Sequence, residues 1–184
     1  MIHLMSDTRH LVSNIGKELF MAGDIIAVLP EEARGVGICS RIYTQTDTRL
    51  DSKTPSLYLD TMYKDRGKVK KIVNKQIIKE LQVSKNLPYV IDTSHVFFAF
   101  KYRKARYDKE SRGFVNIRYV SHIKGSEIIL ITGESIGALS TQKTLITNLN
   151  YAKVFLYKEM NKAFIESYSN IRYMTGRILE DDKL

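Results

Sequence analysis

The chain has no tryptophan, a single cysteine and only three prolines among its 184 residues. One cysteine, Cys39, excludes an internal disulfide and every zinc site built on several thiolates. No apolar run approaches the roughly 18–20 residues that a membrane span requires, so no membrane partner is expected. The first residues interleave apolar side chains with Asp7, Arg9 and Lys17, which is not a secretory pattern. A cytoplasmic protein is therefore expected. No glycine-rich phosphate loop of Walker or dinucleotide type occurs. The four histidines, His3, His10, His95 and His122, have no zinc-ligand spacing. Neither a cofactor nor a metal is expected.

Catalytic signals are equally sparse. Gly133-Glu134-Ser135-Ile136-Gly137 matches the nucleophile-elbow string, in which a serine sits between a strand and a helix and the base histidine follows later. Here no histidine follows His122, so Ser135 lacks a base in the required order. The string reads as a hairpin turn, and the chain as a protein without catalytic residues rather than an enzyme.

What the sequence does have is positive charge, concentrated in two places. The formal net charge is +9. Residues 64–79 hold Lys64, Arg66, Lys68, Lys70, Lys71, Lys75 and Lys79 against Asp65 alone. Residues 101–112 hold Lys101, Arg103, Lys104, Arg106, Lys109 and Arg112 against Asp108 and Glu110. The remaining chain has sixteen cations and seventeen acids, so the two runs carry the whole excess. Clustered Lys and Arg bind nucleic acid by neutralising phosphates and releasing counterions. Lys64, Arg66, Lys68, Lys70, Lys71, Lys75, Lys101, Arg103, Lys104, Arg106 and Arg112 are the candidate DNA contacts. Arg103, Lys104 and Arg106 suit a narrow A·T minor groove, and Tyr102 and Tyr107 could stack there or pack against sugars. RNA or an anionic membrane surface would satisfy the same electrostatics.

The periodicity predicts an α+β domain with strands in the middle and helices at the ends. Leu4, Thr8, Leu11, Val12, Ile15 and Leu19 mark a helix over 6–21. Strands are predicted over 24–29, stopped by Pro30, and over 37–44, followed by a loop over 45–56 and a strand from Leu57. Residues 68–83 fit a helix or a strand. Residues 89–91, 96–102, 114–122 and 127–132 read as strands of an antiparallel meander. This places the second basic run on a projecting hairpin. A long helix follows over 141–169, capped by Thr141, with Leu145, Leu149, Ala152, Leu156, Met160, Ala163 and Ser167 on one face. The expected architecture is a curved antiparallel sheet or small barrel-like sheet crossed by the C-terminal helix. It divides into an N-terminal helical segment over 1–23, a domain over 24–170 and a tail over 171–184.

Several segments then resemble one family in order and spacing. Ile25-Ile26-Ala27-Val28-Leu29-Pro30-Glu31-Glu32 with Ile38-Cys39-Ser40-Arg41-Ile42, Leu87-Pro88-Tyr89-Val90-Ile91-Asp92, Val96-Phe97-Phe98-Ala99-Phe100 and Ile128-Ile129-Leu130-Ile131-Thr132-Gly133-Glu134 resemble the competence transcription factor family over roughly residues 24–165. The resemblance implies an activator that binds double-stranded, A/T-rich promoter boxes as a homo-oligomer, largely through the minor groove, with no catalytic residue or cofactor. It also implies control through a proteolytic adaptor. The competing expectation is a pleckstrin-like sheet-plus-helix module that binds a protein or an anionic lipid.

Overall fold

The structure, a computed structural model, describes residues 25–33, 35, 37–104 and 111–181. The helix predicted over 6–21 lies outside these residues. The elements in chain order are β1 (Ile25–Ala33), β2 (Gly37–Thr44), β3 (Thr48–Asp51), α1 (Pro55–Asp65), α2 (Lys70–Leu81), β4 (Tyr89–Val90), β5 (Val96–Lys101), β6 (Arg112–Asn116), β7 (Val120–Lys124), β8 (Glu127–Leu130), β9 (Ser135–Gly137) and α3 (Gln142–Asp181). Two antiparallel sheets form, one of order β3-β2-β1-β6-β5-β4 and one of order β7-β8-β9. The class is α+β, as the sequence predicts.

The sheet is covered on both faces, and β5 shows why. Val96, Phe97, Phe98, Ala99 and Phe100 are all buried. Neighbouring side chains of a strand point to opposite faces, so a continuous apolar run needs two covers. Phe97 and Ala99 join Val28, Phe114, Leu59 and Tyr63 under α1. Val96, Phe98 and Phe100 join Leu145, Leu149, Ala152 and Phe155 of α3 and Ile128 and Ile136 of the small sheet. Each large side chain so buried contributes about 1.5–3 kcal/mol. Two buried amides tie these elements together, Asn148 between layers and Asn116 within the sheet. Asn148 of α3 donates to the Ala99 carbonyl at 2.9 Å. Asn116 donates to the carbonyls of Ile25 at 3.0 Å and Ser94 at 2.8 Å.

Several local expectations are corrected. Pro30 does not stop β1, which runs to Ala33. β1 meets β6 only at Ala27 and Val28, so at Pro30 it has β2 alone as a neighbour, a place where a missing N–H is tolerated. The loop over 45–56 contains β3, paired to β2 between Ser40↔Asp51 and Tyr43↔Thr48. The strand predicted from Leu57 is α1, opened by Pro55 in its first turn. Proline is well suited to that place, where no N–H is needed, and Leu59, Met62 and Tyr63 bury one helical face. The ambiguous 68–83 is α2. The strand over 114–122 is broken by a 3-10 turn at Ile117–Tyr119, which hands the chain from one sheet to the other.

In α3, Thr141 does cap, accepting from the Thr144 N–H at 3.4 Å. The helix passes through the expected boundary at 170/171 and continues to Asp181. Its domain-facing stripe ends earlier than predicted, because Met160 is exposed.

Gly113 sits where the β5–β6 hairpin closes over the core. A Cβ there would lie 2.8 Å from both Leu29 Cδ2 and Phe100 Cζ, two side chains that are themselves buried. Gly113→Ala is expected to cost about 1–3 kcal/mol by overpacking. Urea unfolding checks this, and an unchanged midpoint would contradict the packing described.

Candidate nucleic-acid interface

The first basic run wraps round one corner of the sheet. Lys64 ends α1, residues 66–69 turn, and Lys70, Lys71, Lys75 and Lys79 lie on α2. Gly67 makes the turn with φ +64°, a left-handed conformation that costs a glycine little. α1 lies on one face of the sheet, while Ile77 of α2 is buried on the other with α3. The turn must therefore cross the sheet edge.

Three of its cations are spent on holding it there. Arg66 pairs with Asp92 at 3.1 Å. Lys68 pairs with Glu159 of α3 at 3.0 Å. Lys70 donates to Asp60 at 2.6 Å and to the Tyr89 hydroxyl at 2.7 Å, and lies 4.6 Å over the Tyr89 ring. Burial would lower the Lys70 pKa, but the hydrogen bonds to Asp60 and Tyr89 outweigh it and hold the ammonium above its ordinary value. Asp92 is the hub. It also accepts from the backbone N–H groups of Ser94 and His95 at 2.8 Å and contacts His95 Nδ1 at 2.8 Å. Burial would raise its carboxyl, yet the bond to His95, the Ser94 N–H and the Arg66 charge hold it below the ordinary carboxylate value. His95 is buried in this turn.

Of the four cations that remain, Lys64 is exposed in the last turn of α1 and the other three lie along α2. Lys71, Lys75 and Lys79 are exposed and recur every four residues, so they share one face of α2 with a rise of about 6 Å per step. Among the described residues none of the three has an ion-pair partner. Lys79 was not among the candidate contacts, and its four-residue spacing from Lys75 is the signal that finds it. The N-terminus of α2 has no side-chain cap and no acid in its first turn. Lys70 and Lys71 there oppose the helix dipole. Lys70 is compensated by Asp60, whereas Lys71 faces solvent.

The second run is on the β5–β6 hairpin, as predicted. Lys101 pairs in register with Arg112, and the N–H groups of Tyr102 and Arg103 donate to Ser111 at 2.8 and 3.2 Å. Lys101 and Arg112 are both exposed and directly opposite, an arrangement that like charges disfavour without a counterion. Lys104 is exposed and Arg103 half-buried. Arg106, Tyr107 and Lys109 lie outside the described residues. Tyr102 is half-buried and packs edge-on against Phe100 at 6.2 Å, so its ring serves the hairpin rather than an open stacking surface. The hairpin base is clamped to the start of α3: the Lys101 N–H donates to Ser140 Oγ at 2.9 Å, and its carbonyl accepts from the Leu139 N–H at 2.7 Å. Asp92 follows β4, at the Val96 end of β5. The corner held by Arg66 and Asp92 and the hairpin base at Lys101 and Arg112 thus lie at opposite ends of the strands.

The serine string takes the predicted turn. Gly133 has φ +88°, its N–H donates to Leu130 at 3.0 Å, and Ser135 lies in β9 opposite Ile129. Among the described residues, no cluster of His, Cys, Asp and Glu could hold a metal ion, and no helix is long and apolar enough to cross a membrane. No family model, curated protein or solved structure matches the chain.

Because the folded state holds Asp92 ionised, its stabilisation is full above the unfolded carboxylate value of about 3.9 and is lost as pH falls through the lower folded one. Asp92→Asn should lose about 2 kcal/mol at pH 7, and the gap to the wild type should close below about pH 4. Denaturant titrations across that range test it, and a gap independent of pH would refute the hub.

Proposed function

We propose that this chain is a DNA-binding regulator. The exposed lysines of α2 bind backbone phosphates, and the β5–β6 hairpin reaches the adjacent minor groove. One observation carries the reading: Lys71, Lys75 and Lys79 are exposed on one helical face with no ion pair among the described residues, while Arg66, Lys68 and Lys70 are held in ion pairs. A solvated surface has no need of this sorting, whereas a phosphate-binding surface needs unpaired cations at regular spacing. The like-charge pair Lys101 and Arg112 supports a second anionic contact at the hairpin. Preference for A/T-rich promoter boxes and an activating role rest on the resemblance to the competence transcription factors. A lipid-binding module would use the same lysines, so the assay must contain both ligands.

Binding to A/T-rich and G/C-rich duplexes should weaken steeply with salt, with the A/T-rich duplex preferred. Replacing Lys71, Lys75 and Lys79 together by Gln should lower the salt slope by about three on both duplexes. Arg103→Gln with Lys104→Gln should reduce the A/T preference instead. Fluorescence anisotropy at several salt concentrations measures both. Binding to anionic vesicles without binding to either duplex would replace this reading with the lipid one.

A further inference from the structure

The last part of α3 carries an apolar stripe that the domain does not cover. Tyr157, Met160, Phe164, Tyr168, Ile171 and Met174 are 51% to 70% exposed. At about 100° per residue, their arc is rotated by roughly a quarter turn from the buried stripe of Leu145, Leu149, Ala152 and Phe155. Lys158, Glu159, Lys162, Glu166 and Arg172 fall on the opposite side of the helix, where Lys158 and Glu159 pair with Glu80 and Lys68. The spacing of the stripe is that of a helix that pairs with another helix. Tyr157, Phe164 and Ile171 recur every seven residues, and Met160, Ser167 and Met174 follow each of them by three. These are the two seam positions of a heptad repeat. Leu156, Asn161, Ala163, Tyr168, Asn170 and Thr175 flank the seam, and none of them is charged.

We propose that a second copy of this chain covers the stripe, its α3 lying antiparallel to the first across a two-fold axis between Phe164 and Ser167. Three observations choose this occupant. The first is fit. In that arrangement Tyr157 meets Met174 of the second copy, Met160 meets Ile171, and Phe164 meets Ser167. The small serine leaves room for the phenylalanine ring at the centre. In a parallel pair, Phe164 would oppose Phe164 and Ser167 would oppose Ser167, crowding one layer and leaving a void in the next, which close packing disfavours. The same patch on both copies is then its own complement, as a two-fold interface requires. The second is area. The six exposed side chains present roughly 600–700 Å² per copy, so two copies would bury up to about 1,300 Å², within the range of specific protein interfaces. The third is charge. A chain with net charge +9 repels its own copies, so self-association needs a face where no cation meets its counterpart. The seam and its flanks supply one, and no ion is buried when they meet. The domains do not obstruct this pairing. α3 joins the domain at Glu159 and is exposed over 160–175 except at Ala163, so an antiparallel pair carries its two domains at opposite ends. The surface is separate from the lysines of α2, and the proposal is independent of the ligand they bind.

Sedimentation equilibrium of the full chain, without nucleic acid, tests this. The weight-average mass should rise with protein concentration from that of one chain towards that of two. Phe164→Glu with Ile171→Glu should weaken the association by roughly a hundredfold or more, with an unchanged far-ultraviolet circular dichroism spectrum. The direction is read from cysteine pairs. Tyr157→Cys and Met174→Cys chains, mixed and mildly oxidised, should form a mixed disulfide, whereas neither variant should link to itself. A monomer at every concentration overturns the proposal. A dimer that survives the double Glu variant also overturns it, because the interface then lies elsewhere. Self-linking of Tyr157→Cys, or a dimer without the mixed disulfide, overturns the antiparallel pairing.

Discussion

Burial of β5 on both faces is the constraint from which the rest of the structure follows. A strand reading Val-Phe-Phe-Ala-Phe cannot leave either face in water, so α1 must lie on one side and α3 with the small sheet on the other. The chain joining α1 to α2 then has to cross the edge of the sheet. That crossing is polar and strongly basic. It is stable because Asp92, Glu159 and Asp60 wait at the corner for Arg66, Lys68 and Lys70. Asp92 and Glu159 are far from the run in sequence but adjacent in space. Packing thus divides one basic segment into cations that fix the fold and cations that face solvent.

This division changes the meaning of the sequence's charge pattern. A count along the chain treats Lys70 and Lys71 as equivalent. In the structure, Lys70 is held by Asp60 and Tyr89, and its neighbour Lys71 is exposed, with no ion pair among the described residues. The ladder of Lys71, Lys75 and Lys79 becomes visible only once α2 is known to be a helix, and the apolar residues over 68–83 allow a strand as well. The second run was easier to place. Its flanking strands are aromatic and β-branched, and the hairpin registers Lys101 against Arg112 as their spacing requires. What the linear reading could not supply was distance: the corner at Arg66 and the hairpin base at Lys101 and Arg112 lie at opposite ends of the strands.

Where the sequence misled, a local signal was outweighed by a neighbouring one. Leu57-Tyr58-Leu59 looks like the start of a strand, but Pro55 before it and Met62 and Tyr63 after it specify a helix with one buried face. Thr48–Asp51 has no apolar alternation, and it becomes a strand because β2 offers it an edge. The helical pattern of α3 was legible, but the buried face was extended beyond Phe155, where the domain ends and the helix goes on. Met160, which the spacing places on the same face as Leu149 and Ala152, is exposed.

The central claim is that the fold separates structural from available lysines within one run. Lysine acetylation mapped by mass spectrometry, with and without an A/T-rich duplex, tests it residue by residue. The account predicts slow modification of Lys68 and Lys70 in both conditions, and rapid modification of Lys71, Lys75 and Lys79 that the duplex suppresses. Equal reactivity of all five lysines, or a ladder that the duplex leaves unprotected while binding, would contradict it.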